Sequence, residues 1–294
     1  MFQKFKHIYE TKYKFLLLIP ILMIILALVQ IGAQYATTGD FVNKGISLKG
    51  GSTITITEFQ GLDNTLLAAT LSSSFPDSEI TVRALTSAGK QTAISIDSGI
   101  QEKEQITEVQ NILKNSFQLS EKDYSVEVIG SSLGDAFFSQ TIRALLVAFL
   151  LMGIVVFFYF RKVIPSLAVI SAAFSDIIIT LAIFNLTGMK LSTAGVAAFL
   201  MLIGYSVDTD MLLTTRVLKR VEGSVMERVY GAIKTGSTML VTTLIAVSVT
   251  ALLVQSDVIK QIMIILIIGL LVDFIITWIQ NVGLLRWYLE RKKQ

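Results

Sequence analysis

The chain has 294 residues, of which 53% are hydrophobic and only 16% charged, with a formal net charge of +3. Ordinary globular domains carry about 25% charged residues, so this composition excludes a soluble protein, and the small net charge argues against a nucleic-acid partner. With no cysteine and a single histidine, His7, the chain lacks the residues for disulfides, thiolate chemistry or a histidine-rich metal site.

Six stretches are long and apolar enough to cross a hydrocarbon core of roughly 30 Å, which takes about 20 helical residues. We therefore predict a multi-pass α-helical membrane protein with six transmembrane helices. The apolar run of the first stretch is longer than that of a signal peptide and no small-residue cleavage site follows, so we expect this span to be retained. The predicted spans are Phe15–Ala33, Ile142–Phe160, Ile164–Leu186, Leu191–Leu213, Ser237–Val254 and Ile259–Leu285.

The basic residues give the expected orientation. Lys and Arg concentrate on the side of the two termini, whereas the two short loops on the opposite side contain only Lys190 and Lys260. Under the positive-inside rule, both termini are cytoplasmic and the segment between the first two spans is external. The expected organisation is a cytoplasmic N-terminus with the first span (1–34), an external domain (35–141), spans two to four (142–213), a cytoplasmic amphipathic segment (214–236), and spans five and six with the cytoplasmic C-terminus (237–294).

The external segment combines the alternation of strands with the periodicity of helices in the order β-α-β-β-α-β. This order predicts a ferredoxin-like α+β domain, with both helices on one face of an antiparallel sheet. A turn at Ala88-Gly89-Lys90 joins the second and third strands. No nucleophile–base pair or metal cluster can be assembled from the chain, so we do not expect an enzyme. The strand patterns are Thr53–Thr57, Ile80–Ala84, Ile94–Ile96 and Tyr124–Val128, and the helical stripes begin at Leu62 and Ile106.

Acidic residues lie inside the predicted spans. Asp176 and Asp273 are each equally distant from the basic residues that flank their spans, and Asp208 lies in the cytoplasmic half of the fourth span. A charged Asp at the centre of a lipid-facing helix costs roughly 2.5–3.5 kcal/mol, and no Lys or Arg lies at comparable depth in the six spans. The acids are therefore expected to be protonated, to line a water-filled path, or to meet a basic residue of another chain.

Other polar residues accompany these acids at helical spacing. Thr180 follows Asp176 by one turn, so both lie on one face of the third span. The functional hypothesis is a proton or ion path through Asp176, Asp208, Asp273, Thr180 and Thr277. Hydrogen-bonded packing of the helices is the alternative. The stripe on the sixth span comprises Asp273, Thr277, Gln280 and Asn281.

The cytoplasmic end of the fourth span leads into an amphipathic segment. Asp210, nearer the membrane surface, is expected to be solvated or to pair with Arg216 at the helix end. The segment 214–236 combines apolar residues at helical spacing with several basic ones. We interpret it as an interfacial helix held by anionic headgroups, with docking of a cytoplasmic partner as the alternative.

Short motifs adjoin the predicted spans. The fourth span contains Gly204-Tyr205-Ser206-Val207-Asp208-Thr209-Asp210 and leads to Arg216, after a third span with Ser175-Asp176. The run Gly45-Ile46-Ser47-Leu48-Lys49-Gly50-Gly51 follows the first span, and Ile129-Gly130-Ser131-Ser132-Leu133-Gly134 precedes the second. In order and topology these motifs resemble the SecF family of protein-export membrane proteins, in the SecD/SecF group of the RND superfamily. The D-T-D form resembles the archaeal branch, since bacterial members usually read G-Y-S-x-N-D-T.

The resemblance implies an accessory subunit of the Sec protein translocase that uses the proton-motive force to assist export. Its partners would be SecD, a SecY-type channel, secretory precursor proteins and membrane lipids, and no cofactor is implied. Asp176 matches the family's intramembrane Asp of the third span and is the first candidate for proton carriage, followed by Asp208 and Asp273. Two alternatives stay open, a scaffold subunit without ion flux and an RND-type exporter of small molecules or lipids.

Overall fold

The structure, a computed structural model, describes residues 7, 9–57, 62–76, 78–87, 90–220, 222–254 and 256–293. Six of its helices are long and apolar enough to cross a membrane, which confirms the six predicted spans. TM1 consists of helices Tyr13–Leu16 and Leu18–Thr38, and TM6 is interrupted by a π-helical turn. The spans TM1 to TM6 are Tyr13–Thr38, Ser131–Phe160, Val163–Leu186, Thr193–Lys219, Val225–Leu253 and Val258–Arg291.

TM2 and TM5 begin several helical turns before the residues that the sequence predicts. TM2 starts at Ser131 instead of Ile142, and TM5 starts at Val225 instead of Ser237. The helix of TM2 thus begins inside the segment 35–141 that the sequence assigns to the external domain, because this helix extends beyond its apolar part. Hydropathy locates the apolar part of a helix and does not register a polar extension.

The interfacial helix predicted over 214–236 is wrong. These residues form the last turns of TM4, a short connection and the first turns of TM5. A capping box of Ser224 and Glu227 stabilises the start of TM5. The apolar face of the segment packs against the C-terminal part of TM6, and this packing explains the amphipathic pattern. The cluster contains Leu213, Val217, Val229, Ala232, Trp278, Val282 and Leu285.

The external domain is ferredoxin-like. Strands β1 (Gly51–Ile56), β2 (Ile80–Ser87), β3 (Lys90–Ser98) and β4 (Tyr124–Ile129) form one antiparallel sheet in the order β2-β3-β1-β4. A short helix α1 (Ile46–Lys49) precedes β1, while α2 (Asn64–Ser74) and α3 (Lys103–Phe117) connect the strands. Of the predicted turn between β2 and β3, Ala88 and Gly89 lie outside the described residues.

Alternation along the strands divides the sheet into an apolar and a polar face. Ile54 and Ile56 of β1, with Ile94 and Ile96 of β3, pack against the two helices in a single core. The helices contribute residues at helical spacing, which include Leu67, Leu71, Val109 and Leu113. The opposite face carries Thr53, Thr55, Ser95 and Asp97, and it faces a cleft of about 620 Å³ above the membrane bundle.

The turn between TM3 and TM4 holds the external domain against the bundle. The Leu191 amide donates to the carbonyl of Asn43 at 2.6 Å, and the Gly45 amide donates to the Leu191 carbonyl at 2.8 Å. On the other side of the turn, the Gln261 amide of TM6 donates to the Lys190 carbonyl at 2.6 Å. The turn is therefore bonded both to the linker after TM1 and to TM6.

The glycines of two motifs allow α1 to cross the start of TM2. Gly50 and Gly51 have φ angles of +83° and +136°, which side chains other than glycine rarely adopt. A Cβ on Gly50 would lie 2.6 Å from Cα of Ser131, and a Cβ on Gly134 would lie 2.5 Å from the Gly50 nitrogen. Both motifs thus serve one close backbone contact.

Three spans form the centre of the membrane bundle. Half or more of the apolar segment of TM3 (56%), TM4 (56%) and TM6 (50%) is buried within the protein, against 17% or less in TM1, TM2 and TM5. A site enclosed by protein inside the membrane must therefore be built from TM3, TM4 and TM6.

Candidate functional site

Three acidic side chains meet in the interior of the bundle. Asp176 of TM3, Asp210 of TM4 and Asp273 of TM6 are each at most 1% exposed. The carboxyl of Asp273 lies within electrostatic range of both others. We call these three residues the acidic cluster.

TM3 contributes Asp176 through its polar face. Oδ2 of Asp176 accepts a hydrogen bond of 2.5 Å from the Ser206 hydroxyl of TM4. The preceding residue, Ser175, donates to Oε1 of Gln280 in TM6 at 3.1 Å. Asp176 is thus hydrogen-bonded to TM4 and Ser175 to TM6, and these two bonds fix TM3 between TM4 and TM6.

A single threonine bridges the other two acids. The Thr277 hydroxyl lies 3.1 Å from Oδ1 of Asp210 and 3.0 Å from Oδ1 of Asp273. Because a hydroxyl carries one proton, it can donate to only one of the two carboxyl groups at a time. The amide of Asn281 donates to the same Oδ1 of Asp210 at 2.6 Å.

The backbone of TM6 changes its winding at this place. The helix Asp257–Ile275 is followed by a π-helical turn, Ile276–Asn281, before the helix resumes at Val282. Such turns are rare and occur frequently at functional sites. The wider turn directs Gln280 toward TM3 and Asn281 toward TM4, so TM6 supplies donors to both neighbouring helices.

The cluster has fewer donors than acceptors. Its second carboxylate oxygens, Oδ1 of Asp176, Oδ2 of Asp210 and Oδ2 of Asp273, are buried without a hydrogen-bond partner, as is the Thr180 hydroxyl. No Lys or Arg is among the buried residues of the described chain. A carboxylate that is buried without a basic partner is strongly disfavoured in its charged form, so the site is suited to binding and releasing protons.

Most of the residues predicted for the path lie at this site. Asp176, Asp273 and Thr277 join the cluster, and Thr180 is fully buried one turn from Asp176. Asp208 does not join it, because its side chain is exposed on the outer face of TM4.

The expectation that Asp210 is solvated or pairs with Arg216 is wrong. Asp210 is fully buried, and Nη1 of Arg216 instead donates to the Gly231 carbonyl at 2.5 Å. Depth from the membrane surface says nothing about the direction in which a helical residue points, and residues two apart lie roughly 200° apart around a helix. The available signal was the spacing of Ser206 and Asp210, which places both on one face of TM4.

The remaining motif residues have structural positions outside the cluster. Tyr205 is half-buried, and Gly204 is exposed with no heavy atom within 4 Å of the position of a Cβ. Gly50 and Gly51 belong to the contact between α1 and TM2. In the part of the chain that the structure describes, no group of three or more His, Cys, Asp or Glu side chains is arranged to hold a metal ion.

Comparison with known proteins identifies similar sequences. The family model described as protein export membrane protein SecD/SecF, C-terminal, matches residues 108–291. The chain is 38% identical to the protein-export membrane protein SecF of Pyrococcus furiosus, over 99% of this chain and 96% of that protein. It is also 38% identical to the SecF of Methanocaldococcus jannaschii, over 94% of this chain and 96% of that protein.

Solved structures share the fold at lower sequence identity. The crystal structure of SecDF, a translocon-associated membrane protein from Thermus thermophilus, matches 94% of this chain with a TM-score of 0.74 and 18% identity. A crystal structure of SecDF in a super-membrane-facing form matches with a TM-score of 0.60 and 19% identity. In both cases the present chain spans only 38% of the length of the SecDF chain.

Proposed function

The chain belongs to the SecD/SecF family of protein-export membrane proteins, and from this membership we propose that it is a SecF-type accessory subunit of the Sec translocase. It pairs with a SecD-type subunit and assists the export of secretory proteins with the proton-motive force. Its further partners are a SecY-type channel, secretory precursors and membrane lipids, and the domain between TM1 and TM2 faces the outside of the cell membrane.

The observation that carries this proposal is the acidic cluster, which has no buried basic partner among the described residues. Three buried carboxyl groups share few donors, so each proton that enters or leaves changes which hydrogen bonds they make. A protonated Asp210 donates to the Thr277 oxygen while Thr277 donates to Asp273, and one proton is thereby relayed between two helices. Each proton that crosses a membrane potential of 100 mV releases roughly 2.3 kcal/mol.

The helices that carry the cluster also carry the contact with the external domain. Ser206 and Asp210 lie on TM4, and the turn at Lys190 and Leu191 connects TM3 to TM4. That turn is bonded to the linker before β1 and to Gln261 of TM6. A shift of TM4 against TM6 at the cluster is therefore transmitted along rigid helices to the base of the external domain, which is the moving part in this proposal.

The proposed SecD-type subunit covers the outer face of TM4. Ala197, Met201, Gly204 and Asp208 recur at helical spacing, and all four are exposed. An Asp that faces lipid within the membrane costs roughly 2.5–3.5 kcal/mol, and this cost disappears if polar or basic groups of a second membrane bundle meet it. Small residues in the same stripe permit close helix approach.

Two other functions make different predictions. A scaffold subunit would stabilise the translocon without ion flux, and neutral substitutions in the acidic cluster would then be silent. An RND-type exporter of small molecules or lipids would need a substrate path through the bundle. No described cavity is lined by residues of the acidic cluster: the cavity of about 620 Å³ lies between the sheet of the external domain and the bundle, and another of about 260 Å³ lies where TM4 ends and TM5 begins.

The test is translocation of a secretory precursor into energised membrane vesicles. We expect Asp176→Asn, Asp210→Asn and Asp273→Asn to abolish the part of export that depends on the proton gradient, at unchanged protein levels. Asp135→Asn is the control, because it removes the same charge from an exposed position at the start of TM2. If all three cluster variants export like the control while deletion of the chain slows export, the scaffold function replaces the proposed one.

A further inference from the structure

A second cluster of charged side chains surrounds a cavity at the end of the bundle where TM1 begins and TM6 ends. The cavity measures about 260 Å³ and lies where TM4 ends and TM5 begins. Neither the acidic cluster nor the external domain contributes to it. Its lining consists of Arg216, Arg220, Glu222, Gly223, Glu227, Arg228 and Gly231.

Backbone carbonyls hold two of the three arginines in place. Arg216 donates through Nη1 to the Gly231 carbonyl at 2.5 Å, and Arg228 donates through Nη1 to the Arg220 carbonyl. Each bond uses one of the five N–H groups of a guanidinium and leaves others for a ligand. Nε of Arg228 is buried without a hydrogen-bond partner, which is costly for a charged donor unless an acceptor enters the cavity.

The acids at the cavity do not neutralise the arginines fully. The Glu227 carboxylate accepts a hydrogen bond of 2.7 Å from the Ser224 amide in the capping box of TM5, so it faces the helix end. Three arginines and two glutamates leave one positive charge. The N-terminus of TM5 and the C-terminus of TM4 both reach the cavity, so their partial charges of opposite sign offset each other and the side chains set its net charge.

We propose that this cavity binds the phosphate group of an anionic membrane lipid. A phosphodiester carries one negative charge, which equals the excess charge of the lining, and guanidinium groups bind phosphate oxygens with two parallel hydrogen bonds. The cavity lies at the ends of two spans, where lipid headgroups reside, and basic pockets between helix ends are typical headgroup sites. The bound lipid holds the ends of TM4 and TM5 together across their short connection. This inference requires neither export activity nor proton transport.

The test measures the thermal unfolding of the purified full-length chain in detergent during titration with phosphatidylglycerol. Phosphatidylcholine is the lipid control, because its headgroup carries an additional positive charge, and inorganic phosphate separates a lipid from a free anion. We expect phosphatidylglycerol alone to raise the melting temperature of the wild type. Arg228→Gln should need a roughly tenfold higher lipid concentration for the same shift, since it loses a charged hydrogen bond.

Two further variants make the result decisive. Lys234→Gln removes a positive charge from an exposed position further along TM5 and should respond like the wild type. Arg220→Gln changes an exposed side chain of the cavity and carries the test if Arg228→Gln does not fold. Equal lipid responses in all variants, an equal loss in Lys234→Gln, or an equal shift with inorganic phosphate would each overturn the proposal. Because no step measures translocation, the result is independent of the export function.

Discussion

Glu79 of the external domain forms an ion pair with Lys190 of the membrane bundle, in which Oε1 of Glu79 lies 2.8 Å from Nζ of Lys190. Its other oxygen lies 2.6 Å from Nζ of Lys49 in α1, and Lys190 also donates to the Thr81 hydroxyl of β2 at 3.1 Å. One carboxylate thus joins the ferredoxin-like domain both to the TM3–TM4 turn and to the linker that follows TM1. The contact lies where a shift of TM4 would reach the external domain.

This ion pair predicts a pH dependence of domain docking. Hydrogen bonds from Lys190 and Lys49 lower the pKa of Glu79 from 4.5 to about 2. A carboxyl whose pKa is lower in the docked state stabilises docking above its ordinary pKa, and this contribution is lost as the pH falls from 4.5 toward about 2. Docking should therefore be insensitive to pH near neutrality and weaken only in acid.

Hydrogen exchange measures this contact at neutral pH. Glu79→Gln should accelerate exchange of the Gly45 and Leu191 amides, which bond the linker to the turn. Glu108→Gln, an exposed position on α3, is the matched control and should leave both amides protected. Unchanged protection in Glu79→Gln would mean that the backbone bonds alone hold the domain.

A second prediction concerns the crossing of α1 and TM2. Gly50→Ala would place a Cβ 2.6 Å from Cα of Ser131 at a φ of +83°, so we expect a loss of about 2 kcal/mol or more in unfolding free energy. Gly99→Ala is the control, because no heavy atom lies within 4 Å of its Cβ position. Thermal unfolding in detergent compares the two, and equal melting temperatures would contradict the close contact.

The sequence predicted the spans and the external domain for a physical reason. A lipid-facing helix must be mostly apolar where it crosses the hydrocarbon core, and the residues of a sheet with one covered face must alternate between apolar and polar. Each requirement produces a pattern of apolar residues that can be recognised within one segment of the sequence, without knowledge of its neighbours in the fold. The ends of TM2 and TM5 were missed because a helix that extends into water has no apolar requirement, and the amphipathic face of 214–236 is equally compatible with a headgroup layer or with TM6.

The acidic cluster was predicted only in part, because it depends on how helices face each other. The depth of Asp176 and Asp273 follows from the flanking charges, but Asp208 and Asp210 have similar depths and opposite directions. The π-helical turn at Ile276–Asn281 also has no signal in the spacing of Thr277 and its neighbours. An α-helical stripe and a π-helical turn share the same sequence pattern, and tertiary contacts decide between them.

A third prediction tests the outer face of TM4 as the contact with the SecD-type subunit. Gly204 is exposed, and a Cβ there meets nothing within the chain, so Gly204→Leu should leave the subunit folded. It should reduce copurification of the partner, since the larger side chain prevents close helix approach. Ala246→Leu, at an exposed position on TM5, is the control. Equal recovery of the partner with both variants would place the contact on another face.

The last prediction concerns the hydroxyl that joins two acids. Thr277→Val keeps the shape of the side chain but removes the only group that bridges Asp210 and Asp273 among the described contacts. Protons can then no longer be relayed between TM4 and TM6 at this point, and gradient-dependent export should fall by roughly tenfold, the effect of one hydrogen bond to a charged group. Thr277→Ser retains the hydroxyl and should retain export.

The same vesicle assay separates this relay from a packing role. Thr250→Val, on TM5, removes a hydroxyl that donates only to its own helix, to the Ala246 carbonyl, and it should export like the wild type. If Thr277→Val and Thr277→Ser lower export equally, the size of the side chain matters and the hydroxyl does not. If only Thr277→Val loses gradient-dependent export, while its thermal stability matches that of Thr277→Ser, then the site requires the proton on the hydroxyl.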